Sequence, residues 1–305
     1  MLALPILSWG GDINHLYEMK QRGYLYEIDY VFNVIYIDSY VDLYSLFKKN
    51  VSQLVRNEKD EDKDILVCEK PAGLAVQSAR ISEPDMVSEL KNYLTGKQPA
   101  GAPGKFAEIS AFGGTRQPAS ATASVGVRKP QSVYLGVVHR LDQPVSGLLV
   151  FAKNKKAAGA LSTQTAQHQM NKIYYAVVYT KEDLTGKSGT LTDWLVKEAS
   201  IARVCDASQN GAKKAVLSWK CLACQGNRAL LEVELETGRF HQIRVQMAHA
   251  GMPLLGDQRY GSEESREVST QLGIRTIRLQ AVKLAFCHPT SGKRVCYELT
   301  DKLTL

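Results

Sequence analysis

His139, Arg140 and Asp142 stand together in the stretch HRLDQPVSG, residues 139–147. The apolar runs VYLGVV and LLVFAK flank it, so three ionisable side chains fall between two strand-like segments, with a turn at Pro144 and Gly147. A carboxylate held at a rigid sheet end can serve as a nucleophile, a base or an electrostatic partner for a developing cation. A second cluster lies in ETGRFHQIRVQMAHAGMPLLGDQRYG, residues 236–261. A helix starting near Arg239 and ended by Gly251 would place Arg239, His241 and Arg244 around its first turns. An arginine beside Asp142 would keep that carboxylate ionised at neutral pH. Lys172, Tyr174 and Tyr175 open a third candidate segment, where a phenol could stack on a ring or move a proton.

Each cluster has a plainer reading. Asp142 with an arginine can be a structural ion pair, and Tyr174 can be a core residue with a satisfied hydroxyl. His139 and His241 read as hydrogen-bonded structural residues rather than metal ligands, because no carboxylate or histidine lies at ligand spacing. Cys221 and Cys224 form a lone C-x-x-C, whereas a structural zinc site uses four ligands in paired clusters. Cys287 and Cys296 lack that spacing, so zinc and redox chemistry are the minor reading. From spacing alone, the catalytic and structural alternatives both stand.

These residues need a scaffold to position them, and the rest of the chain describes one. Its 305 residues suffice for one large domain or two smaller ones, and the net charge of +7 favours polyanions such as nucleic acid. No apolar run approaches the roughly 18 residues of a membrane span, and MLALPILSWGG lacks the basic start and cleavage site of a signal peptide. The six cysteines are then expected as reduced thiols in a cytoplasmic protein.

Residues 1–60 hold half of the fourteen tyrosines and read as an N-terminal extension of unknown role. The charge run at residues 56–64 links it to a unit spanning 61–305. In that unit Ile65 to Glu69 reads as a short buried strand. A helix capped by Ser82 is expected to run to about Leu94. Residues 95–132, rich in Gly, Ala, Ser and Pro with five basic residues against Glu108, read as a flexible basic insertion. Beyond it, strands are expected at GLLVFAK, KIYYAVVY, several runs between 189 and 236, RLQAVKLAFCHP and KRVCYEL. A helix is expected from Lys155 to about His168. Strands dominate without a regular β-α-β rhythm, which implies an α+β fold: a mixed, largely antiparallel central sheet with flanking helices and loops.

Five segments, in order from about 64 to 299, resemble the RluA-type pseudouridine synthases. HRLDQPVSGLLVFAK resembles that family's H-R-L-D-x-x-T-S-G-L-L-hydrophobic-F-A-K signature, and ILVCEKPAGLAVQS its opening strand and K-P-x-G turn. KIYYAVV resembles K-x-Y-x-A-x-V, TGRFHQIRVQMAHAGMPLLGDQRYG the long T-G-R-T-H-Q-I-R segment, and LAFCHPTSGK the closing L-x-F-x-H-P-x-T-G. The resemblance implies the pseudouridine synthase fold and isomerisation of uridine to pseudouridine in structured RNA, ribosomal more than transfer RNA. It implies no metal and no cofactor. It makes Asp142 the catalytic aspartate, Tyr174 the active-site tyrosine and Arg244 the arginine paired with the aspartate. Arg140 becomes the residue that displaces the target base, with His139, Arg239 and His241 beside the substrate. Three positions depart: Val145 and Phe240 stand where the pattern has Thr, and Gln246 where it has His. The chemical residues are kept, so the departures bear on substrate choice. A monomer with RNA as its partner is expected. The alternatives are an RNA-binding or ribosome-assembly factor with weak or no catalysis, and a glycosidase, which would ordinarily need a second carboxylate.

Overall fold

The computed structural model describes residues 61–78, 83, 85–96 and 133–305. Residues 1–60, the residues of the basic insertion beyond Gly96, and Ser82 lie outside the described residues. The strands are β1 (Ile65–Lys70), β2 (Gly136–Val137), β3 (Ser146–Ala152), β4 (Asn171–Tyr179), β5 (Ser188–Glu198), β6 (Ile201–Cys205), β7 (Lys213–Gln225), β8 (Arg228–Leu235), β9 (Leu279–Cys287) and β10 (Arg294–Glu298). The helices are α1 (Met86–Gly96), α2 (Lys155–Ala166), α3 (Gln242–His249) and α4 (Glu263–Gln271). All ten strands form one sheet, ordered β1-β3-β9-β4-β8-β7-β5-β6, with β10 added to β9 and β2 to β3. Every pairing is antiparallel except β3 with β9. This is the mixed, largely antiparallel α+β sheet expected from the strand pattern.

Both faces of the sheet are covered, which is why β1 and β3 read as continuous apolar runs rather than alternating ones. One face packs Leu66, Leu149, Phe151 and Ala176 against Met86 and Leu90 of α1 and Ile243 and Met247 of α3. The other packs Ile65, Val67, Val150 and Phe286 against Ala157 and Leu161 of α2. Asn154 caps α2 by accepting the Ala157 N–H at 2.9 Å.

Two helix starts differ from expectation. Helix α1 begins at Met86, and its cap is Asp85, whose Oδ1 accepts the Ser88 N–H while Oδ2 accepts the Ser78 N–H. One carboxylate thus caps the helix and closes the preceding loop. Helix α3 begins at Gln242, three residues after Arg239, because His241 adopts a left-handed backbone with φ of 53°. The Gln242 side chain holds that turn, accepting from the Arg239 N–H and the Thr237 hydroxyl. Helix α4 was not anticipated. Ser262 caps it and Glu263 and Glu264 fill its first turn, but Val268 is its one buried apolar residue, so the periodic signal is faint.

A cross-strand row lies at the heart of the sheet. Lys70 pairs with Gly147, Gly147 with Ala281, Ala281 with Tyr174, and Tyr174 with Val233. Gly147 makes the parallel β3–β9 contact possible. Its φ is +119°, and a Cβ there would sit 2.3 Å from the Ala281 carbonyl oxygen and 2.4 Å from its nitrogen. Gly147→Ala should therefore cost about 2–4 kcal/mol in urea denaturation; a cost below about 0.5 kcal/mol would show that the two backbones can separate freely.

Candidate active site

Asp142 lies in the turn between β2 and β3, and two backbone carbonyls fix it. The Val145 N–H donates to the Asp142 carbonyl at 3.0 Å, closing the turn. The next carbonyl, that of Gln143, accepts both the Gly73 N–H at 2.9 Å and the Lys70 ammonium at 2.9 Å. Lys70 is fully buried, and its ammonium also donates to the carbonyls of Pro71 and Leu74. Three acceptors match its three protons. Burial pushes this lysine down to about 7, with Asp142 pulling the other way.

Arg244 projects from the first turn of α3, and its guanidinium is divided between two carboxylates. Nε and Nη2 each donate to Asp257 at 2.8 Å, a two-pronged pair, while Nη1 donates to Asp142 at 3.3 Å. Asp257 also accepts the N–H groups of Arg259 and Tyr260. The Arg244 and Asp257 side chains are 7% and 1% exposed, whereas that of Asp142 is 24% exposed. Arg244 and these backbone donors hold the Asp257 carboxyl below its usual range despite burial. Asp142, Arg244 and His241 do converge, as their types suggested. The arginine's stronger partner is Asp257 of GDQRYG, a residue to which the sequence pattern assigns no role.

His241 flanks the carboxylate. Its Nε2 lies 3.6 Å from Asp142 Oδ2, and its Nδ1 lies 2.8 Å from the Tyr260 hydroxyl. The Tyr260 oxygen already accepts the Ala202 N–H at 2.9 Å, so its own proton can point at Nδ1. That leaves the imidazole proton on Nε2, facing Asp142. Burial outweighs the opposing pull of Asp142 and lowers His241 to about 4, with Arg244 and Arg259 adding to the effect.

Two adjoining cavities, of about 750 and 490 Å³, share Arg140, Leu141, Asp142, His241 and Arg244. Tyr174, His139 and Arg239 line the smaller one. A bulge in the β4–β9 register falls between Ile173 and Tyr174, a feature that re-aims side chains. Burial, and then the nearby Asp142, raises the Tyr174 hydroxyl well above its ordinary range, so it stays a neutral phenol. His139 Nε2 accepts the Val150 N–H at 3.2 Å, and burial, aided by Lys172, lowers it to about 3. Arg239 directs its Nε to the Lys214 carbonyl. Arg140 is exposed, lines both cavities and touches the Gln77 carbonyl. Of the departing positions, Gln246 is buried against Asp193 and Gln242, Val145 joins the core, and Phe240 is exposed at the larger cavity.

Asp62, Asp64 and His288 are the one group of clustered metal-ligand types among the described residues. His288 Nδ1 accepts the Thr290 and Ser291 N–H groups, so the ring proton sits on Nε2, 2.7 Å from Asp62 Oδ2. That nitrogen presents a proton rather than a lone pair, and the trio reads as a latch between the start of β1 and the β9–β10 turn. All six cysteines are free thiols.

Residues 64–249 match the model of the RNA pseudouridylate synthase family. The chain belongs to the RNA pseudouridine synthase family. Among its relatives of the RluA type is ribosomal large subunit pseudouridine synthase D of Zymomonas mobilis, 34% identical over 242 residues, or 78% of this chain and 67% of that protein. Ribosomal large subunit pseudouridine synthase C of Vibrio cholerae is 29% identical over 228 residues, 74% of this chain and 69% of that one. The solved structure of human RNA pseudouridylate synthase domain containing 4 has a TM-score of 0.60 at 19% identity, covering 86% of this chain and 94% of that chain. At that identity the likeness concerns the pseudouridine synthase fold.

Two measurements probe the charges of this candidate site. Asp257→Ala leaves a buried guanidinium unpaired and should cost about 3–5 kcal/mol, whereas the double change Arg244→Met with Asp257→Leu should cost less. Equal losses in chemical denaturation would mean that charge pairing is not what holds the two residues. His139 and His241 have folded-state values below the unfolded 6.5, so their contribution is complete above 6.5 and is lost as pH falls toward about 4. The melting temperature should fall between pH 6.5 and about 5, less steeply in His139→Gln. A slope identical in that variant would show that His139 binds its proton equally well in both states.

Proposed function

We propose that this protein isomerises uridine to pseudouridine in structured RNA, ribosomal RNA rather than transfer RNA, with Asp142 as the catalytic carboxylate. The observation that carries the reading is the placement of Asp142. It is a partly exposed carboxylate bonded to Arg244 at the junction of two cavities, one of them walled by a buried phenol. The smaller cavity would take the everted uracil against Tyr174, and the larger the adjoining backbone. The names of the two bacterial relatives favour a ribosomal substrate.

The reaction breaks the bond from the sugar's anomeric carbon to uracil nitrogen 1 and forms one from the same carbon to carbon 5. The hydrogen on carbon 5 leaves as a proton, and nitrogen 1 gains one. Positive charge develops on the sugar as the first bond breaks, and an ionised carboxylate answers it by electrostatics or by a transient covalent bond. His139 and His241, held neutral by burial, add no competing charge. Tyr174, held protonated, suits a stacking role better than that of a base. Eversion of the base costs a few kcal/mol, and the exposed Arg140 would fill the gap left in the RNA stack. The net charge of +7 steers the phosphate backbone toward the protein.

Asp142→Asn should fold with an unchanged melting profile yet release no tritium from RNA labelled at carbon 5 of uridine. Normal release from that variant would remove Asp142 from the chemistry. No release from the native chain on ribosomal RNA would favour an RNA-binding factor, and free uracil among the products a glycosidase.

A further inference from the structure

Phe240 is a large apolar side chain left 37% exposed at the lip of the larger cavity. Its ring stacks on His241, with centroids 3.8 Å apart and planes inclined by 21°. That imidazole is the one facing Asp142. The Lys197 ammonium lies 4.6 Å from the Phe240 centroid. Since His241 covers one face, the ammonium caps the other. Lys197 comes from β5, two residues after Leu195, which packs with Val245 of α3 in a small core cluster. Strand alternation therefore points Lys197 to the same side as Leu195, toward the site. Lys197 is itself exposed and lines the larger cavity with Phe240.

An apolar ring in this position gains little from water and little from the core. One face is built into the active-site wall, and the other is closed by an exposed lysine side chain that a planar ligand can displace at small cost. Arg140, Arg259 and Arg275 line the same cavity, so a polyanion bearing planar groups matches its chemistry.

We propose that Phe240 is a stacking platform for a nucleobase of the substrate RNA adjacent to the everted uridine. Lys197 moves off the ring onto a neighbouring phosphate when that base arrives. This deepens the reading of the same site and rests on RNA being the substrate. The base would extend the stack His241–Phe240 outward, setting the register of the RNA relative to Asp142. The platform is selective for the presence of a base rather than its identity, because every base offers a π face.

The test uses the full chain and a short fluorescein-labelled RNA hairpin carrying one uridine in its loop, with a matched hairpin whose loop nucleotides flanking that uridine are abasic. Fluorescence anisotropy should show Phe240→Ala binding the intact hairpin about tenfold more weakly than the native chain, with Phe240→Trp restoring affinity. On the abasic hairpin the native chain and Phe240→Ala should bind alike. Equal affinity of both proteins for the intact hairpin overturns the proposal. So does an equal loss on both hairpins, which would mark Phe240 as a structural support for His241. Tritium release is read separately. Base-dependent binding through Phe240 without pseudouridine formation by the native chain would sink the catalytic reading and leave the platform standing.

Discussion

The guanidinium of Arg244 is buried, and a buried cation is tolerable only when its charge and its protons are both matched. Asp257 supplies the match through two 2.8 Å bonds, and is itself held by two backbone N–H groups. The pair is neutral as a unit and stiff. It leaves one further edge of the guanidinium to point at Asp142, at 3.3 Å. The asymmetry matters: a fully satisfied anchor lies inside, and a longer contact to a partly exposed carboxylate lies at the cavity. The anchor sets where Asp142 stands, while water access keeps that carboxylate available to a ligand.

The sheet positions the other half of the site by the same economy of backbone. Lys70 ends β1 beneath the Asp142 turn and holds the Gln143 carbonyl with its ammonium. Gly147 opens β3 where the turn ends, and its missing side chain lets Ala281 approach. Ala281 pairs with Tyr174, so the turn that bears the carboxylate and the strand that bears the phenol belong to one row across three adjacent strands. Tyr174 stands on a strand of that row, and Asp142 on the short turn that leads into it. Arg140 differs: it is exposed and held by a single hydrogen bond to the Gln77 carbonyl.

The three positions where this chain departs from the RluA-type pattern separate cleanly once their surroundings are known. Gln246 is turned inward to Asp193, the Ala215 carbonyl and Gln242, and Val145 packs into the main core. Phe240 alone of the three is exposed, beside a cation, on the cavity wall. One of the three departures thus alters the cavity wall, and the other two lie in the interior. No helix among the described residues is long and apolar enough to cross a membrane.

Much of this was legible in the residues themselves. The apolar runs of β3, β4 and β9, the Asn154-capped helix and the HRLD turn are local patterns, because side-chain periodicity and turn chemistry act over a few neighbours. Asp142 and Tyr174 stood out as candidates for the same reason, whereas Arg244 as the partner of Asp142 came from the resemblance to the RluA-type pattern. The true start of α3 was not legible, since it depends on Gln242 reaching back to Thr237 and Arg239 and on His241 accepting a left-handed backbone. Nor was the division of Arg244 between Asp257 and Asp142. Which carboxylates meet a guanidinium across 13 and 102 positions of chain is decided by where α3 docks on the sheet and by the parallel β3–β9 contact. Residue types alone say which side chains can carry charge, donate protons or stack. Which of them share a cavity and which neutralise one another in the interior follows from the folded arrangement, because Coulomb and hydrogen-bond energies depend on distance and burial rather than on order along the chain.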